Sequence, residues 1–175
     1  MRYVLESLRL LLRPLKVDDA EAVFNGWASD KEVTKYLTWN PHPNVELTRQ
    51  LLEHWESQYN EPQTIRFGIV YKPDKKLVGT IDVVRYLDPD TPEIGYCLSR
   101  AYWGQGIMPE AVELVTGLLK ELGFRHLVIR AEQENHQSIR VIEKSGFSPY
   151  KVEEEESHKI EGKTISVIYY EKELQ

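Results

Sequence analysis

The fold of this chain is decided by Glu93–Ile107, which reads EIGYCLSRAYWGQGI. Its opening residues alternate between apolar and other side chains, and this period of two predicts a strand. A loop with two glycines, Trp103–Gly106, follows the strand. From Ile107 onward the apolar residues recur at helical spacing for about four turns. The helix should begin close to Gly106, because Pro109 is tolerated only in a first turn, and Gly123 should end it.

A strand, a glycine loop and a helix in this order form an arrangement that can bind a phosphate group. The first N–H groups of a helix have no partners within it, and the helix dipole adds partial positive charge there. Glycines let a ligand approach the backbone closely. The loop is not a P-loop, since no Lys-Ser/Thr follows, and it lacks the third glycine of G-x-G-x-x-G. On spacing alone, a phosphate site and a loop that needs tight turns are equally good interpretations.

The same segment resembles the acetyl-CoA loop of the GNAT superfamily of N-acetyltransferases, whose pattern is Gln/Arg-x-x-Gly-x-Gly/Ala. Gly104 and Gly106 match, whereas Ala101 stands at the first position and Arg100 lies one place early. The wider pattern, Gly-Tyr-x-Leu followed by Tyr-Trp-Gly-x-Gly and Glu-Ala, resembles the subgroup of ribosomal-protein N-terminal (alanine or serine) acetyltransferases, which often lacks Gln/Arg there. The resemblance implies that mostly main-chain groups of the loop bind acetyl-CoA, from Trp103, Gly104, Gln105, Gly106 and Ile107.

A second motif, Asn135-x-x-Ser138 followed by Gly146-Phe147, resembles the other half of the GNAT cofactor site. The resemblance implies that two neighbouring strands diverge and that the pantetheine arm pairs with exposed main chain of one of them. Asn135 would hold this arm through its side-chain amide; it is also a good helix N-cap, and the two roles are compatible. By position, the main-chain contacts would come from Cys97, Leu98 and Ser99.

Two basic residues follow this motif on the same predicted helix. Arg140 and Lys144 lie one turn apart and therefore share a face. They could approach the phosphates of CoA, and solvated helix charges are an equally good interpretation. We place Arg140 among the expected cofactor-binding residues.

The reaction implied is direct transfer of acetyl from acetyl-CoA to a primary amine, without a covalent enzyme intermediate. The amine must first lose its proton, and the carbonyl oxygen needs a hydrogen-bond donor as its charge grows. Glu93 is the candidate base, because it matches an acidic position that many GNAT members carry at the start of this strand. A surface carboxylate after a turn is the alternative, and Glu132 and Glu134 are rival bases.

Ser138 is the candidate proton donor to the leaving thiolate. Many GNAT enzymes use a Tyr seven residues after the Asn, and Ile142 stands there in this chain. The alternative for Ser138 is a helix hydroxyl bonded to its own backbone. Cys97 could act as a nucleophile only with a neighbouring base, and no motif supplies one.

Composition sets the class of protein. The chain has 175 residues, of which 41% are hydrophobic and 29% charged, and this predicts one globular domain over residues 1–175. A net charge of −6 argues against a nucleic-acid partner and suits a basic acceptor. One cysteine excludes an internal disulfide, and the histidines show no metal spacing, so no metal is expected. No apolar run predicts a membrane span and Met1–Glu6 has no signal-peptide character, so we expect a cytoplasmic protein.

The remaining patterns complete the expected architecture. Leu8–Leu15 is the first predicted strand, and Asp18, Ser29 and Asn44 are predicted caps of the helices that follow. Hairpins then lead into Glu93–Ile107, and a last hairpin closes the chain. The fold class is α/β (α+β), a single GNAT-type domain. We expect a mixed, mostly antiparallel seven-stranded sheet with helices on both faces and a splayed pair of parallel central strands.

Four functions are compatible with this sequence. The first is acetylation of a protein N-terminal α-amine, and the second is acetylation of a small amine such as an antibiotic, a polyamine or an amino-acid derivative. The third is a non-catalytic acyl-CoA-binding module, and the fourth, a nucleotide-binding loop, is disfavoured by the missing Lys. The acceptor should be decided by Thr38–Asn44, Asp88–Thr91 and the terminal hairpin. The chain is expected to be a monomer or a homodimer.

Overall fold

The computed structural model of the chain describes residues 3–175. Met1 and Arg2 lie outside the described residues, and with them part of the segment judged to lack signal-peptide character. The described chain forms an eight-stranded sheet in the order β1-β2-β3-β4-β5-β6-β8-β7. Its strands are β1 Leu5–Glu6, β2 Leu10–Arg13, β3 Arg66–Tyr71, β4 Lys76–Asp88, β5 Thr91–Leu98, β6 His126–Glu132, β7 Ser148–Glu156 and β8 Thr164–Glu173.

The prediction of seven strands was wrong by one, because the N-terminal segment folds back on itself. The Ser7 N–H donates to the Leu10 carbonyl (2.9 Å), and the Leu10 N–H donates to the Ser7 hydroxyl (3.0 Å). This tight turn separates Leu5–Glu6 from the predicted strand Leu8–Leu15 and pairs it with Leu11 and Leu12. The hydroxyl of Ser7 thus satisfies a backbone group that a continuous strand would have paired elsewhere.

In the part of the chain that the structure describes, five α-helices accompany the sheet: α1 Ala20–Val23, α2 Lys31–Thr34, α3 Val45–Gln58, α4 Ile107–Glu121 and α5 His136–Lys144. Helix α1 continues directly into a π-helical turn, Phe24–Ala28. The predictions for the caps of α3 and α5 are confirmed. Asn44 accepts from the Leu47 N–H at 3.0 Å, and Asn135 accepts from the Ser138 N–H at 3.2 Å.

Two other predicted caps were wrong. The segment at Asp18 is a 3-10 turn, in which the carboxylate of Asp19 accepts from the Lys16 N–H at 2.8 Å. Asp30, one residue after Ser29, caps α2 by accepting from the Glu32 N–H at 2.9 Å. The Ser29 hydroxyl instead donates to the Phe24 carbonyl. At α2 the carboxylate of Asp30 takes the Glu32 N–H that a cap at Ser29 would use, whereas at Asp18 the 3-10 turn Val17–Asp19 precedes α1.

The two faces of the sheet carry different helices. The face covered by α4 and α5 holds the main core, to which Ile94, Leu98 and Ile129 contribute. The opposite face is covered by α1–α3 over strands β3 and β4, with Trp27 at the centre of a smaller cluster that Cys97 touches. None of the helices in residues 3–175 is both long and apolar enough to cross a membrane.

The two parallel strands diverge at the centre of the sheet. Strand β6 pairs with β8 along its whole length, from His126 to Glu132. Within the described chain, Glu93 with Val128 is the one residue pair that joins β5 to β6. Beyond that pair, the edge of β5 that faces β6 has no strand partner, as the sequence analysis predicted. The gap opens toward the carboxyl ends of both strands, where α4 and α5 begin.

Candidate functional site

The glycine loop forms an open cradle at the start of α4. Gly104 has φ 72° and Gly106 has φ 74°, a left-handed conformation that glycine adopts without strain. Gly106 caps a 15-residue helix, and nothing lies within 4 Å of the position where a side chain would begin at Gly104. The loop at Gly104–Gly106 is exposed, and the first N–H groups of α4 have no partner within the helix, so this end of the helix suits an anionic group.

Arg9 supplies a cation to this loop, and the sequence analysis missed it. Its Nη1 donates to the Gln105 carbonyl at 2.9 Å, and its Nε donates to Glu110 Oε2 at 2.7 Å. Ser7 fixes the other oxygen of Glu110. The guanidinium ends 3.5 Å from the side-chain position of Gly106. Arg9 and Gln105 are so far apart in sequence that only the fold of the N-terminal hairpin reveals this contact.

A groove of about 750 Å³ lies beside the cradle, between the first turns of α4 and the end of α5. Three cations line it together with two carboxylates of α4: Arg9, Lys144, Lys172, Glu110 and Glu113. Lys144 lines this groove, and its approach to the CoA phosphates stays a prediction. Arg140 is exposed on α5 and does not line this groove.

The edge of β5 offers less free main chain than the sequence analysis expected. The Leu98 carbonyl accepts from Trp103 Nε1 at 2.8 Å, and the Ser99 N–H donates to the Val78 carbonyl at 2.7 Å. Trp103 therefore braces the loop with its side chain. The main chain up to Cys97 remains as the edge that faces the gap.

Ser138 is held opposite this edge by a tyrosine that the sequence analysis did not single out. Tyr96 Oη lies 2.8 Å from Ser138 Oγ and 3.3 Å from the Ser138 carbonyl. Burial raises the pKa of Tyr96 well above its ordinary value, so its hydroxyl keeps its proton. The Asn135 side-chain oxygen caps α5, and within residues 3–175 its amide nitrogen makes no hydrogen bond. Asn135 therefore keeps two donors for a ligand.

Glu93 lies where β5 and β6 are still joined, and it is 3% exposed. Its Oε2 is 2.6 Å from Arg85 Nε, and its Oε1 is 3.1 Å from Arg130 Nε. Arg130 also pairs with Glu155 at 2.9 Å. Its role as a base stays a prediction, and these surroundings favour a structural role, because two guanidinium groups occupy the carboxylate.

The rival bases are placed differently. Glu132 ends β6 beside the open end of the gap, where burial raises the pKa of its carboxyl despite Lys163 and Lys159 nearby. Glu134 is exposed in the loop after β6.

The surroundings of Cys97 make its thiol unreactive. Burial raises the pKa of its thiol to about 12, and its sulfur lies 3.0 Å from Thr80 Oγ1. A thiol with this pKa carries almost no thiolate near neutral pH, so it is a poor nucleophile. No group of three or more His, Cys, Asp or Glu side chains in residues 3–175 is arranged to hold a metal ion.

The contact between Lys159 and Thr34, called the strap below, spans the open end of the gap on the face of α1–α3. Lys159, in the loop between β7 and β8, donates from Nζ to the Thr34 carbonyl of α2. Arg100, just after β5, pairs with Asp30 at the start of α2 at 3.0 Å. Helix α2 is thus tied to the β5 side and the loop at Lys159 continues from the β8 side. Their contact therefore links the two sides of the gap.

The other two loops that were expected to decide the acceptor, Thr38–Asn44 and Asp88–Thr91, lie in different places. Within Thr38–Asn44, Trp39 packs against the smaller cluster and His42 Nδ1 lies 2.6 Å from Thr48 Oγ1, so this loop is largely a packed connector beside the strap. Asp88–Thr91 is the turn between β4 and β5, at the joined end of the parallel strands. It therefore lies away from the open end of the gap.

Comparisons with known proteins converge on one family. A family model described as an acetyltransferase (GNAT) domain matches residues 9–148. The uncharacterized N-acetyltransferase p20 of Bacillus licheniformis is 32% identical over 142 residues, which cover 79% of each protein.

Two solved structures share the fold at low sequence identity. The microcin C7 self immunity acetyltransferase MccE, crystallised with acetyl-CoA and AMP, has a TM-score of 0.85 at 20% identity and covers 96% of this chain and 94% of its own. The ribosomal L7/L12 alpha-N-protein acetyltransferase RimL also has a TM-score of 0.85 at 20% identity, covering 99% of this chain and 96% of its own.

Proposed function

This chain belongs to the acetyltransferase (GNAT) domain family and is an acetyl-CoA-dependent N-acetyltransferase; we propose that it binds acetyl-CoA in the gap between β5 and β6 and acetylates a small primary amine. The observation that carries this proposal is the divergence of the two strands beyond the Glu93–Val128 pair, directly below the glycine cradle. A gap with one unpaired strand edge and an anion cradle at its mouth suits a phosphate-bearing arm with amide groups.

The residues present fit acetyl-CoA along its length. Gly104, Gly106 and the cation of Arg9 would hold the pyrophosphate, and Lys144 and Lys172 line the groove that continues from it. The free donors of Asn135 would hold an amide of the arm. When bound, acetyl-CoA supplies the thioester whose acetyl group is transferred.

The protein approaches this thioester from two faces. Tyr96 and Ser138 lie on the face of α5, and their linked hydroxyls would donate a proton to the leaving sulfur. The acceptor amine would enter from the opposite face, beneath α2 and the strap. This separation keeps the acid that protonates sulfur apart from the base that deprotonates the amine.

The strap favours a small acceptor. Lys159 and Thr34 connect the two sides of the gap, and such a bridge would limit the room for an acceptor on this side. The second candidate acceptor is the α-amine of a protein N-terminus. The Gly-Tyr-x-Leu and Tyr-Trp-Gly-x-Gly pattern favours it, since it resembles the ribosomal-protein acetyltransferases.

We expect acetyl-CoA and CoA, but not ATP, to raise the melting temperature. A ligand at 100 times its dissociation constant stabilises the folded state by about 2.7 kcal/mol, which corresponds to roughly 5–10 °C for a chain of this size. Release of free thiol is then measured with spermidine, an aminoglycoside and hexapeptides beginning with Ala or Ser. Spermidine or the aminoglycoside should be preferred over the peptides.

Three outcomes would redirect the assignment. No stabilisation by either CoA species at millimolar concentration would overturn the cofactor site. Binding without acetylation of any amine would favour the non-catalytic module. Preference for the Ala or Ser peptides would establish the second acceptor class, and the strap would then have to open.

We expect Ser138→Ala to lower kcat by about 100-fold, toward the low end of what a positioned acid contributes. The substitution keeps the backbone N–H that Asn135 caps, so the helix and the affinity for acetyl-CoA should be retained. Steady-state kinetics and thermal shift with CoA measure both. Ser57→Ala is the control, because within residues 3–175 that helix hydroxyl on α3 bonds only to the His54 carbonyl. An unchanged kcat for Ser138→Ala would show that the thiolate leaves without this donor.

A further inference from the structure

Asp82 is a carboxylate on β4, one strand away from the gap, that the sequence analysis did not assign. It lies on β4 directly opposite Gly95 of β5, and Thr80 lies opposite Cys97 in the same ladder. Because side chains at i and i+2 share a face, Asp82 points to the side of the sheet that Thr80 and Cys97 share. That side is the face of α1–α3, where the acceptor is expected to enter. Paired residues on neighbouring strands lie about 5 Å apart, so strand β5 alone separates Asp82 from the gap.

The surroundings of Asp82 orient one oxygen and leave the other available. Its side chain is 17% exposed, and Oδ2 lies 3.3 Å from Arg66 Nε. Arg66 is itself fixed, since its guanidinium stacks 4.5 Å over Trp55 and donates to Gln58 at 3.0 Å. Within residues 3–175, Oδ1 accepts no hydrogen bond. Asp82 is therefore a carboxylate on a rigid strand with a fixed direction and an unused oxygen.

The charge state of Asp82 suits a base near neutral pH. Burial raises the pKa of its carboxyl to about 6, although the charge of Arg66 opposes this shift. The titratable groups that face it are Arg66 on β3, Cys97 on β5 and Tyr59 at the end of α3. Burial raises the pKa of the Cys97 thiol to about 12 and also raises that of Tyr59, so neither carries charge near neutral pH. The carboxylate of Asp82 is therefore ionised and able to accept a proton between pH 6 and 8, and it is already protonated below about pH 6.

We propose that Asp82 is the general base that removes the proton from the acceptor ammonium, directly or through one water. This inference rests on the proposed function. The ammonium gives a proton to Oδ1, and the nitrogen lone pair attacks the thioester carbon. The new C–N bond forms as the C–S bond breaks, and the sulfur takes a proton from Ser138. Asp82 then releases its proton to water, and the amide nitrogen loses its second proton, which restores Ser138 through solvent.

Asp82 is better placed for this step than Glu93. Gly95, its partner, lies two residues beyond the last pair that joins β5 to β6 and so borders the open gap. Glu93 lies at the joined end, and two arginines hold it. Oδ1 of Asp82, which is not paired with Arg66, is free to accept the proton.

The test is the pH dependence of kcat/KM for Asp82→Asn, with spermidine or whichever amine of the panel the wild type acetylates. In the wild type, activity should fall below about pH 6 as the base is protonated. In Asp82→Asn, kcat/KM at pH 7.5 should fall about 100-fold and this acidic limb should disappear. Asp82→Glu should keep the limb. Stabilisation by CoA checks that the variant still folds and binds.

Arg66→Gln provides a second readout if Asp82→Asn does not fold. The guanidinium favours the ionised carboxylate, so its loss should move the acidic limb to higher pH. A limb that stays in place in Arg66→Gln, or that persists in folded Asp82→Asn, would overturn the assignment of the base. If the wild type binds acetyl-CoA but acetylates no amine, the proposed function fails as well. If the wild type is active and Asp82→Asn keeps the acidic limb of the pH profile, the proposed function stands and only the role of Asp82 is rejected.

Discussion

Gly79→Ala should lower the free energy of unfolding by about 3 kcal/mol or more, the upper range of overpacking costs. A methyl group at Gly79 would overlap the carbonyl oxygen of Cys97 and lie 3.2 Å from the Leu98 Cα. Both are backbone atoms of the adjacent strand, so no side-chain rotation relieves the overlap. Strand β5 would have to move away from β4. Thermal unfolding should show a melting temperature lower by about 6–12 °C.

Gly117→Ala is the matched control for this effect. Gly117 lies inside α4, and nothing lies within 4 Å of its side-chain position. Alanine there should stabilise the protein by roughly 0.5–1 kcal/mol, because glycine costs about that much in a helix interior. Equal melting temperatures for Gly79→Ala and the wild type would mean that β4 and β5 are less closely packed than described here.

Glu93→Gln should lower the free energy of unfolding by about 2 kcal/mol. Breaking a fully buried ion pair costs about 3–5 kcal/mol, and the cost here is smaller because water reaches the partners. The side chain of Arg85 is 45% exposed and that of Arg130 is 22% exposed, against 4% for Glu93. Glutamine keeps the shape but removes the charge that both cations face. Chemical denaturation at pH 7.5 measures the loss.

The same variant separates the structural role of Glu93 from the predicted catalytic one. Once folded, Glu93→Gln should keep the acidic limb of the pH profile, because Asp82 is still present. Glu153→Gln is the control on the same sheet face, where an exposed pair with Lys151 should be worth less than about 1 kcal/mol. If Glu93→Gln is as stable as the wild type and its pH profile lacks the acidic limb, Glu93 and not Asp82 is the base.

The elements that local chemistry determines were predictable from the sequence. The period of two at Ile94 and Tyr96 and the change of period at Ile107 placed β5 and α4, because backbone geometry sets both periods. Asn44 and Asn135 cap helices as expected, since a cap needs only a partner three residues away. The predicted cap at Ser29 failed because Asp30 takes the Glu32 N–H, and the one at Asp18 failed because a 3-10 turn precedes α1.

Contacts between distant segments were not predictable in this way. Arg9 reaches the glycine loop, Tyr96 reaches Ser138, and Lys159 reaches α2. Each contact joins elements that are far apart in the chain, and two of the three end on a backbone carbonyl. No local periodicity records such a pairing, because it depends on the register and direction of whole strands and helices.

The sequence by itself determined the strand, glycine loop and helix at Glu93–Ile107, the Asn135 motif and hence the family, because those signals are local and need only neighbouring residues. The tertiary structure alone decided how the carboxylates are used. Glu93 and Asp82 are both acids on adjacent strands, yet two arginines occupy one and a single arginine orients the other. Burial and the placement of charge set the chemistry of a carboxylate, and both arise only when the sheet is assembled.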